Sequence, residues 1–407
     1  MDQPDRKGIW GVSRNVFFLG WVSFLTDTSS DAIFNMFPLF LSQVLGVGAT
    51  FIGLIEGLGD SAATALKLVS GWASDKLQRR KGLAVAGYTL STVAKPFLLL
   101  ATSGAAALLI RFFERAGKGM RTSPRDALIA DSATEDRRGR SFGFHRALDT
   151  AGAITGIAIA AVVVYLLQGW NATLSLWSFR WLVIIGVIPA VLAVLVLIFF
   201  VHEGRASQNR EGETGAGRAE GSFDRRFKVF LGIMLLFTLG NSADVFLILR
   251  ASNIGLSPVH ILLMLIPLNL VYAATSYPFG RLSDRLGRKK VIIAGWTVYA
   301  LTYLGFALAA PAWHVIYVVL LFTLYGVYYG AAEGVTRAFV ADIVPKERRG
   351  TAYGLYHGAI GLSTLLASVI AGVLWETVSP AATFYFGAAM AGAAILGFAL
   401  LIREYPQ

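Results

Sequence analysis

Residues 280–291 read GRLSDRLGRKKV, and residues 71–82 read GWASDKLQRRKG. Aligning the two segments places Asp284 on Asp75, which lies 209 residues earlier in the chain. Each segment is a short polar turn between two long apolar stretches, with an aspartate ahead of several basic side chains. The same pattern at two places indicates that the chain consists of two similar halves.

Two further matches keep nearly the same spacing. An Ala-Asp pair followed by an RRG segment occurs twice at an offset of 211 residues, and an aspartate inside an apolar stretch occurs twice at an offset of 213. The matched aspartates are Asp131 with Asp342, and Asp31 with Asp244. Matches in one order at a nearly constant offset predict an internal duplication, which is common among secondary transporters.

The composition is that of a membrane protein. A soluble chain carries about a quarter charged residues, whereas this chain of 407 residues has 15% charged and 55% hydrophobic residues, with a mean hydropathy of +0.61. Twelve apolar stretches are each long enough to cross a bilayer core of about 30 Å at about 1.5 Å per residue. They cover 15–45, 50–73, 82–102, 105–130, 141–168, 177–201, 227–250, 258–280, 290–310, 313–340, 351–375 and 381–402. The predicted fold class is an all-α membrane protein with twelve transmembrane helices in two sets of six.

The longest polar segment separates the two sets of stretches. Residues 202–226 are rich in Gly, Glu and Arg and poor in apolar side chains, as is typical of a flexible linker. The sequence therefore predicts an N-terminal six-helix bundle at 1–201, a cytoplasmic linker at 202–226 and a C-terminal six-helix bundle at 227–407.

The positive charge follows the loops of a membrane protein. The net charge is +11 and the pI is about 9.8, which in a soluble protein would suggest nucleic acid as a partner. Here the basic residues outside the spans lie in alternate loops, such as 76–81, 137–140 and 285–290, and the intervening turns have none. This positive-inside bias predicts a multi-pass protein of the cytoplasmic (inner) membrane with both termini in the cytoplasm, and no nucleic-acid partner.

Several classes of chemistry lack the residues they need. The chain has no cysteine, which excludes disulfides, thiolate metal sites and cysteine catalysis, and it has no HExxH segment. The first apolar stretch is too long for the core of a signal peptide, so we expect it to be a retained span. We also expect no enzymatic activity and no cofactor.

The duplicated turn resembles the signature loop of the major facilitator superfamily, which joins the second and third helices of a six-helix half. The second copy has the residues of that pattern at Gly280, Asp284, Gly287, Arg288 and Lys289. The first copy keeps Gly71, Asp75, Arg79 and Arg80 but has Gln78 where the family has glycine. The resemblance implies two bundles related by pseudo-twofold symmetry, alternating access around a central cavity, and a monomer that carries a small-molecule substrate.

In that family the acidic and basic residues around the signature loop form a cytoplasmic latch that favours the outward-open state. The residues at the matching positions, here called the latch residues, are Asp75, Arg79, Arg80, Asp131, Asp284, Arg288 and Asp342. The alternative is that these charges only anchor the loops at the lipid headgroups.

The fourth stretch carries a basic stripe, defined by Arg111, Arg115, Lys118, Arg121 and Arg125. Spacings of 4, 3, 3 and 4 residues place the stripe on one helix face, with its second member close to the bilayer midplane. A charge at that depth costs at least about 2.5–3.5 kcal/mol. Such a stripe binds an anionic substrate, or it pairs internally with acids such as Asp27, Asp31, Glu114 and Asp149. Both interpretations stay open.

Acidic residues inside the spans are the candidates for proton coupling, because burial makes a carboxyl group easier to protonate. In order of preference they are Asp31, Glu114 and Asp244, with Asp27 one turn before the first. The candidates for the substrate cavity are Arg111, Arg115, Lys118, Asp149, Glu333 and Arg337. Internal salt bridges are the main alternative for each. His145 with Asp149 is a weaker candidate for binding a divalent metal as cargo, and we assign no metal site.

These observations predict a secondary transporter that moves a small solute across the bilayer by alternating access, coupled to protons and directed towards export. One alternative is transport of an organic anion, a divalent metal or a metal chelate. An alternative of another class is a membrane sensor or lipid-handling protein that keeps the same fold without moving a solute.

Overall fold

The computed structural model describes residues 9–77, 79–133, 137–203, 223–310, 315–345 and 348–402, apart from the side chains at 75, 349 and 350. Over these residues the chain is helical, with one isolated bridge between Ile9 and Val12. The first six long helices are α1 Arg14–Phe34, α2 Ala49–Leu77, α3 Arg80–Leu100, α4 Gly104–Asp131, α5 Arg138–Gln168 and α6 Leu176–Phe200. The second six are α7 Arg225–Asn253, α8 Pro258–Leu286, α9 Arg288–Leu308, α10 Val315–Ile343, α11 Arg349–Thr377 and α12 Pro380–Leu401.

The predicted all-α membrane fold is confirmed. Within the described residues, nine of these helices are long and apolar enough to cross a membrane. The other three, α1, α2 and α4, are also long, with 21, 29 and 28 residues, but they carry several charged side chains. The least apolar helices are therefore the ones with most of the candidate functional residues of the first half.

The first span is shorter than the sequence predicts. The apolar stretch continues to residue 45, but α1 ends at Phe34 and is followed by short helical turns at Phe37–Leu39 and Phe40–Val44. Pro38 lies four residues after the end of α1, and a proline has no amide hydrogen to donate to the carbonyl four residues earlier, with which its ring also clashes. An apolar run alone does not reveal that interruption.

The first compact unit comprises Met1–Phe37, Ala62–Gln168 and Ser175–Ala216. Within it α1 packs against α5 and α6, and α3 packs against α4. The α1–α5 contact brings two backbones together, because a Cβ added at Gly152 or at Gly156 would lie 2.4 Å from the carbonyl oxygen of Phe24 or of Thr28. Glycine at these positions lets the two helices approach closely.

The second unit comprises Pro38–Ser61, Gly169–Leu174 and Gly217–Gln407. Within it α7 packs against α11 and α12, and α9 packs against α10. These are the helix pairs of the first unit six places further along the chain, so the packing repeats the duplication seen in the sequence. The predicted linker lies mostly outside the described residues, and the bundle boundaries at 201 and 227 stay a prediction.

Helix α7 is interrupted in the middle. It consists of Arg225–Gly240 and Val245–Asn253, and residues 241–244 between them are not helical. Glycine and asparagine at positions 240 and 241 are poor helix formers. The interruption frees backbone groups that the rest of the unit satisfies: the Tyr299 hydroxyl donates to the Gly240 carbonyl at 2.8 Å, and the Ala243 amide donates to Ser368 Oγ at 3.3 Å.

Candidate functional site

Two aspartates from different helices bring their carboxyl groups together in the first unit. Asp27 on α1 and Asp149 on α5 lie within hydrogen-bonding reach of each other. Asp149 also accepts a hydrogen bond from the Ser23 hydroxyl at 2.5 Å and lies 3.3 Å from a guanidinium nitrogen of Arg146. Ionised carboxylates only accept hydrogen bonds, so a bond between two of them requires a proton on one. We call Asp27 and Asp149 the carboxyl pair.

The carboxyl pair lies deep in the helices that carry it. Asp27 is about 20 Å along α1 from Arg14, and Asp149 is about 17 Å along α5 from Arg138, at about 1.5 Å per residue. Both side chains are half-buried. The pair therefore lies well inside the span rather than at the surface.

Asp31, the preferred proton candidate from the sequence, lies one helical turn beyond the carboxyl pair. Its Oδ1 accepts a hydrogen bond from Asn35 Nδ2 at 3.2 Å, and the same nitrogen donates to the Asp31 backbone carbonyl at 2.8 Å. Asp31 therefore has a neutral amide partner, whereas Asp27 has a carboxyl partner.

Lys95 is a residue of this region that the sequence analysis missed. Its ammonium group is fully buried and donates to the hydroxyls of Ser29 at 2.6 Å and Ser30 at 3.1 Å. Glu114 and Asp27 are close enough to act on it electrostatically. A signal was present, because Lys95 is the single charged residue between positions 82 and 110 of the chain.

The first part of the basic stripe, Arg111 and Arg115, interacts with an acid inside the first unit. Arg111 and Glu114 form an ion pair at 2.9 Å, with only 6% and 2% of their side chains exposed. The Arg111 guanidinium also lies over the Phe34 ring at 4.2 Å and the Phe37 ring at 5.7 Å from the centroids. Arg115 is half-buried and acts electrostatically on the same glutamate. This geometry favours the internal-pairing interpretation for Arg111.

The remaining stripe residues, Lys118, Arg121 and Arg125, lie in three different environments. Lys118 is exposed, and Arg121 is buried with its guanidinium 4.5 Å from the Tyr88 ring centroid. Arg125 pairs with the neighbouring Asp126 at 2.9 Å. The stripe is therefore a regular pattern in sequence but not one surface, and Lys118 is its most accessible member.

His145 is buried on α5, and its Nε2 has no hydrogen-bond partner among the described residues. Among the residues that the structure describes, no group of three or more His, Asp or Glu side chains is placed to hold a metal ion. The structure thus does not assemble His145, Asp149, Asp27 and Asp31 into one metal-binding cluster.

The second unit has its own acidic site around Asp244, at the start of the second part of α7. The Tyr325 hydroxyl donates to Asp244 Oδ1 at 2.8 Å, and the Tyr329 hydroxyl lies 2.9 Å from both carboxylate oxygens. Glu333, one turn further along α10, accepts from the Tyr272 hydroxyl at 2.5 Å and pairs with Arg337. The sequence located both acids but not their tyrosine partners.

The latch residues form matched ion pairs in the two units. Arg80 pairs with Asp131, and Arg288 pairs with Asp342 at 3.2 Å and with Asp284 at 2.5 Å. Arg79 is exposed, and the Asp75 side chain lies outside the described residues. The pairs Arg80–Asp131 and Arg288–Asp342 each join the start of a third helix to the end of a fourth, as the alignment of the halves predicts.

Comparison with known proteins gives one consistent family. The family model described as Major Facilitator Superfamily matches residues 19–268 and 229–407. An uncharacterized MFS-type transporter of Methanocaldococcus jannaschii is 37% identical over 93% of both chains, and an uncharacterized protein of Mycobacterium tuberculosis is 26% identical over 89% of this chain and 87% of its own. The crystal structure of the nucleoside transporter NupG superposes with a TM-score of 0.76 at 15% identity, covering 96% of this chain and 99% of that one, and it supports the fold alone. The chain belongs to the Major Facilitator Superfamily.

Proposed function

We propose that this protein is a proton-coupled secondary transporter, and not an enzyme, that moves a small organic solute across the cytoplasmic membrane by alternating access. The carboxyl pair is the observation that carries the proposal, because a hydrogen bond between its two carboxyl groups requires a proton deep inside the span. In keeping with the sequence, the protein acts as a monomer with both termini in the cytoplasm, and export is the direction of transport.

Loss of this proton changes the forces between two helices. Two ionised carboxylates in hydrogen-bond contact repel each other, so removing the proton favours separation of Asp27 from Asp149. The helices that carry them, α1 and α5, are in close backbone contact at Gly152 and Gly156. Loss of the proton from the carboxyl pair therefore alters the packing of α1 against α5 in the first unit.

A nearby lysine, Lys118, interacts electrostatically with the acids around the carboxyl pair. Lys118 is exposed, and it acts electrostatically on both Asp27 and Asp31. When the proton leaves, Lys118 compensates the added negative charge, and when the proton returns, Lys118 is available to other anions. This arrangement supports exchange between a proton and a solute.

Transport of an organic anion is the second candidate. Arg115 and Lys118 support it, because their charges could attract an anion. Arg111 supports it less, because its guanidinium already pairs with Glu114. Transport of a divalent metal or a metal chelate has no additional support from the side-chain geometry of the described residues.

Solute-driven proton movement in proteoliposomes tests the proposal. Vesicles with an internal pH dye receive a panel of organic cations, organic anions and Co²⁺, added from either side so that the direction of transport is also read. We expect at least one solute to move protons through the wild type and not through Asp27→Asn. Asp126→Asn, the same chemical change in the same unit beside Arg125, is the matched control.

Two outcomes contradict the proposal. Full proton movement through Asp27→Asn would exclude the carboxyl pair as the coupling site. Absence of movement for every solute of the panel, in protein that melts cooperatively, would favour a sensor or lipid-handling role.

A further inference from the structure

The interruption of α7 leaves a polar oxygen without a partner inside the second unit. Asn241 Oδ1 is buried and has no hydrogen-bond partner among the described residues, whereas the neighbouring Ser242 hydroxyl lies close to the Tyr303 hydroxyl. The amide nitrogen of Asn241 is engaged, donating to the Tyr328 hydroxyl at 3.2 Å. Unsatisfied oxygens inside a membrane are costly, and unwound helix segments in transporters are where cations and substrates bind.

A carboxylate stands at the end of this interruption. Asp244 is exposed and precedes the helix Val245–Asn253, whose amino-terminal end carries partial positive charge that stabilises an anion. The hydroxyls of Tyr325 and Tyr329 donate to its carboxylate at 2.8 and 2.9 Å. These bonds hold the carboxylate in one orientation beside the tyrosine rings.

The rings around Asp244 form an aromatic cluster, here called the tyrosine cluster, of Tyr272, Tyr325, Tyr328 and Tyr329. Tyr325 and Tyr328 are buried, whereas Tyr272 and Tyr329 are half-buried and keep part of their rings accessible. Tyr329 lies 5.0 Å from Tyr325, 5.2 Å from Tyr328 and 5.6 Å from Tyr272, between ring centroids. A phenol that donates a hydrogen bond to a carboxylate gains electron density in its ring. Electron-rich aromatic faces attract cations, and such faces grouped together bind quaternary ammonium groups.

We propose that Asp244 and the accessible rings of the tyrosine cluster, Tyr272 and Tyr329, bind the substituted-ammonium group of an organic cation. An anion is disfavoured because Asp244 places an exposed carboxylate at the edge of the cluster, whereas Glu333 is balanced by Arg337. A bare metal ion would gain nothing from the rings. The site makes organic cations the substrate class of the proposed transporter, and only this last step rests on the proposed function.

Equilibrium binding of choline tests the site without any gradient. Calorimetry on the purified full chain in detergent compares choline with 3,3-dimethylbutan-1-ol, a neutral molecule of nearly the same shape. We expect choline to bind at least about tenfold more tightly than the alcohol, because only choline carries the charge that the carboxylate and rings attract.

Variants of Asp244 and Tyr329 separate what the charge and the aromatic ring each contribute to choline affinity. Asp244→Asn and Tyr329→Leu are expected to weaken choline binding by at least about tenfold, and Tyr329→Phe, which keeps the ring, by less. Glu376→Gln is the matched control, because Glu376 is an exposed carboxylate of the same unit that bonds to Thr50 rather than to the cluster. Melting temperatures in the same detergent show that each variant is folded.

The outcomes separate this inference from the proposed function. Equal affinity for choline and the alcohol, no binding of choline, or unchanged affinity in folded Asp244→Asn would overturn the cation site. If the site fails while a solute still moves protons through Asp27, the proposed function stands. If choline binds as expected and no solute moves protons, the site stands and the proposed function fails.

Discussion

The pairing of Arg111 with Glu114 decides how individual charges of the fourth helix are interpreted. Both side chains are buried, and they contact each other at 2.9 Å. A buried pair that loses one partner leaves an uncompensated charge in a medium of low dielectric constant. Glu114, second among the proton candidates in the sequence, has the geometry of a structural counter-ion.

We therefore predict that Glu114→Gln is destabilised by roughly 3–5 kcal/mol, because the Arg111 charge stays buried without its carboxylate. Thermal unfolding in detergent measures the change. A Glu114→Gln protein as stable as the wild type, but without solute-driven proton movement, would instead assign Glu114 to coupling.

Lys95 supplies a second prediction about a single residue. Its buried ammonium is held by the hydroxyls of Ser29 and Ser30 and lies near Glu114 and Asp27. We expect Lys95→Met to keep the helical fold and to slow solute-driven proton movement by at least about tenfold, because the positive charge that balances the nearby acids is lost. A rate close to that of the wild type would limit Lys95 to a packing role.

At the scale of the helices, the α1–α5 contact depends on two glycines. A Cβ at Gly156 would lie 2.4 Å from the Thr28 carbonyl, whereas nothing lies within 4 Å of a Cβ at Gly143 on the same helix. Gly156→Ala is expected to destabilise the protein by about 1–3 kcal/mol through overpacking. Gly143→Ala is expected to leave stability unchanged or to raise it by up to about 1 kcal/mol, because alanine favours a helix more than glycine does. Equal melting temperatures for the two variants would contradict the close packing of α1 and α5.

The interruptions of α1 and α7 show where helix prediction from sequence fails. Hydropathy averaged over a span gives continuous stretches at 15–45 and 227–250, although Pro38 and the pair Gly240-Asn241 mark weak points. The break in α7 is stable because Tyr299 and Ser368, on other helices, satisfy backbone groups that it frees. Such partners are distant in sequence, so a local pattern does not reveal them.

At the scale of the whole molecule, the internal duplication was the information that the sequence carried best. It pointed to the matched pairs Arg80–Asp131 and Arg288–Asp342, whereas the signature loop indicated the family and the apolar stretches gave the helix count. The contact between Asp27 and Asp149 was not predictable, because it depends on which face of α1 meets α5. Asp31 was preferred for its match to Asp244, but matching by duplication says nothing about which carboxyl groups meet.

The two matched ion pairs of the latch residues differ in exposure. Asp342 is 50% exposed, and exposed pairs contribute about 0–1 kcal/mol, whereas Arg80 and Asp131 are only 12% and 18% exposed. We predict that Asp342→Asn melts within a few degrees of the wild type, that Asp131→Asn melts lower than Asp342→Asn, and that both change the turnover of the transported solute. Unchanged turnover in both variants would leave these charges as loop anchors.

The carboxyl pair is the central claim, and infrared difference spectroscopy tests it most directly. Protonated carboxyl groups absorb apart from ionised ones, so the spectrum at neutral pH reports the shared proton. We expect a protonated-carboxyl band in the wild type that disappears in both Asp27→Asn and Asp149→Asn and persists in Asp126→Asn. The same band at full intensity in all three variants would show that the proton resides elsewhere and would contradict the account.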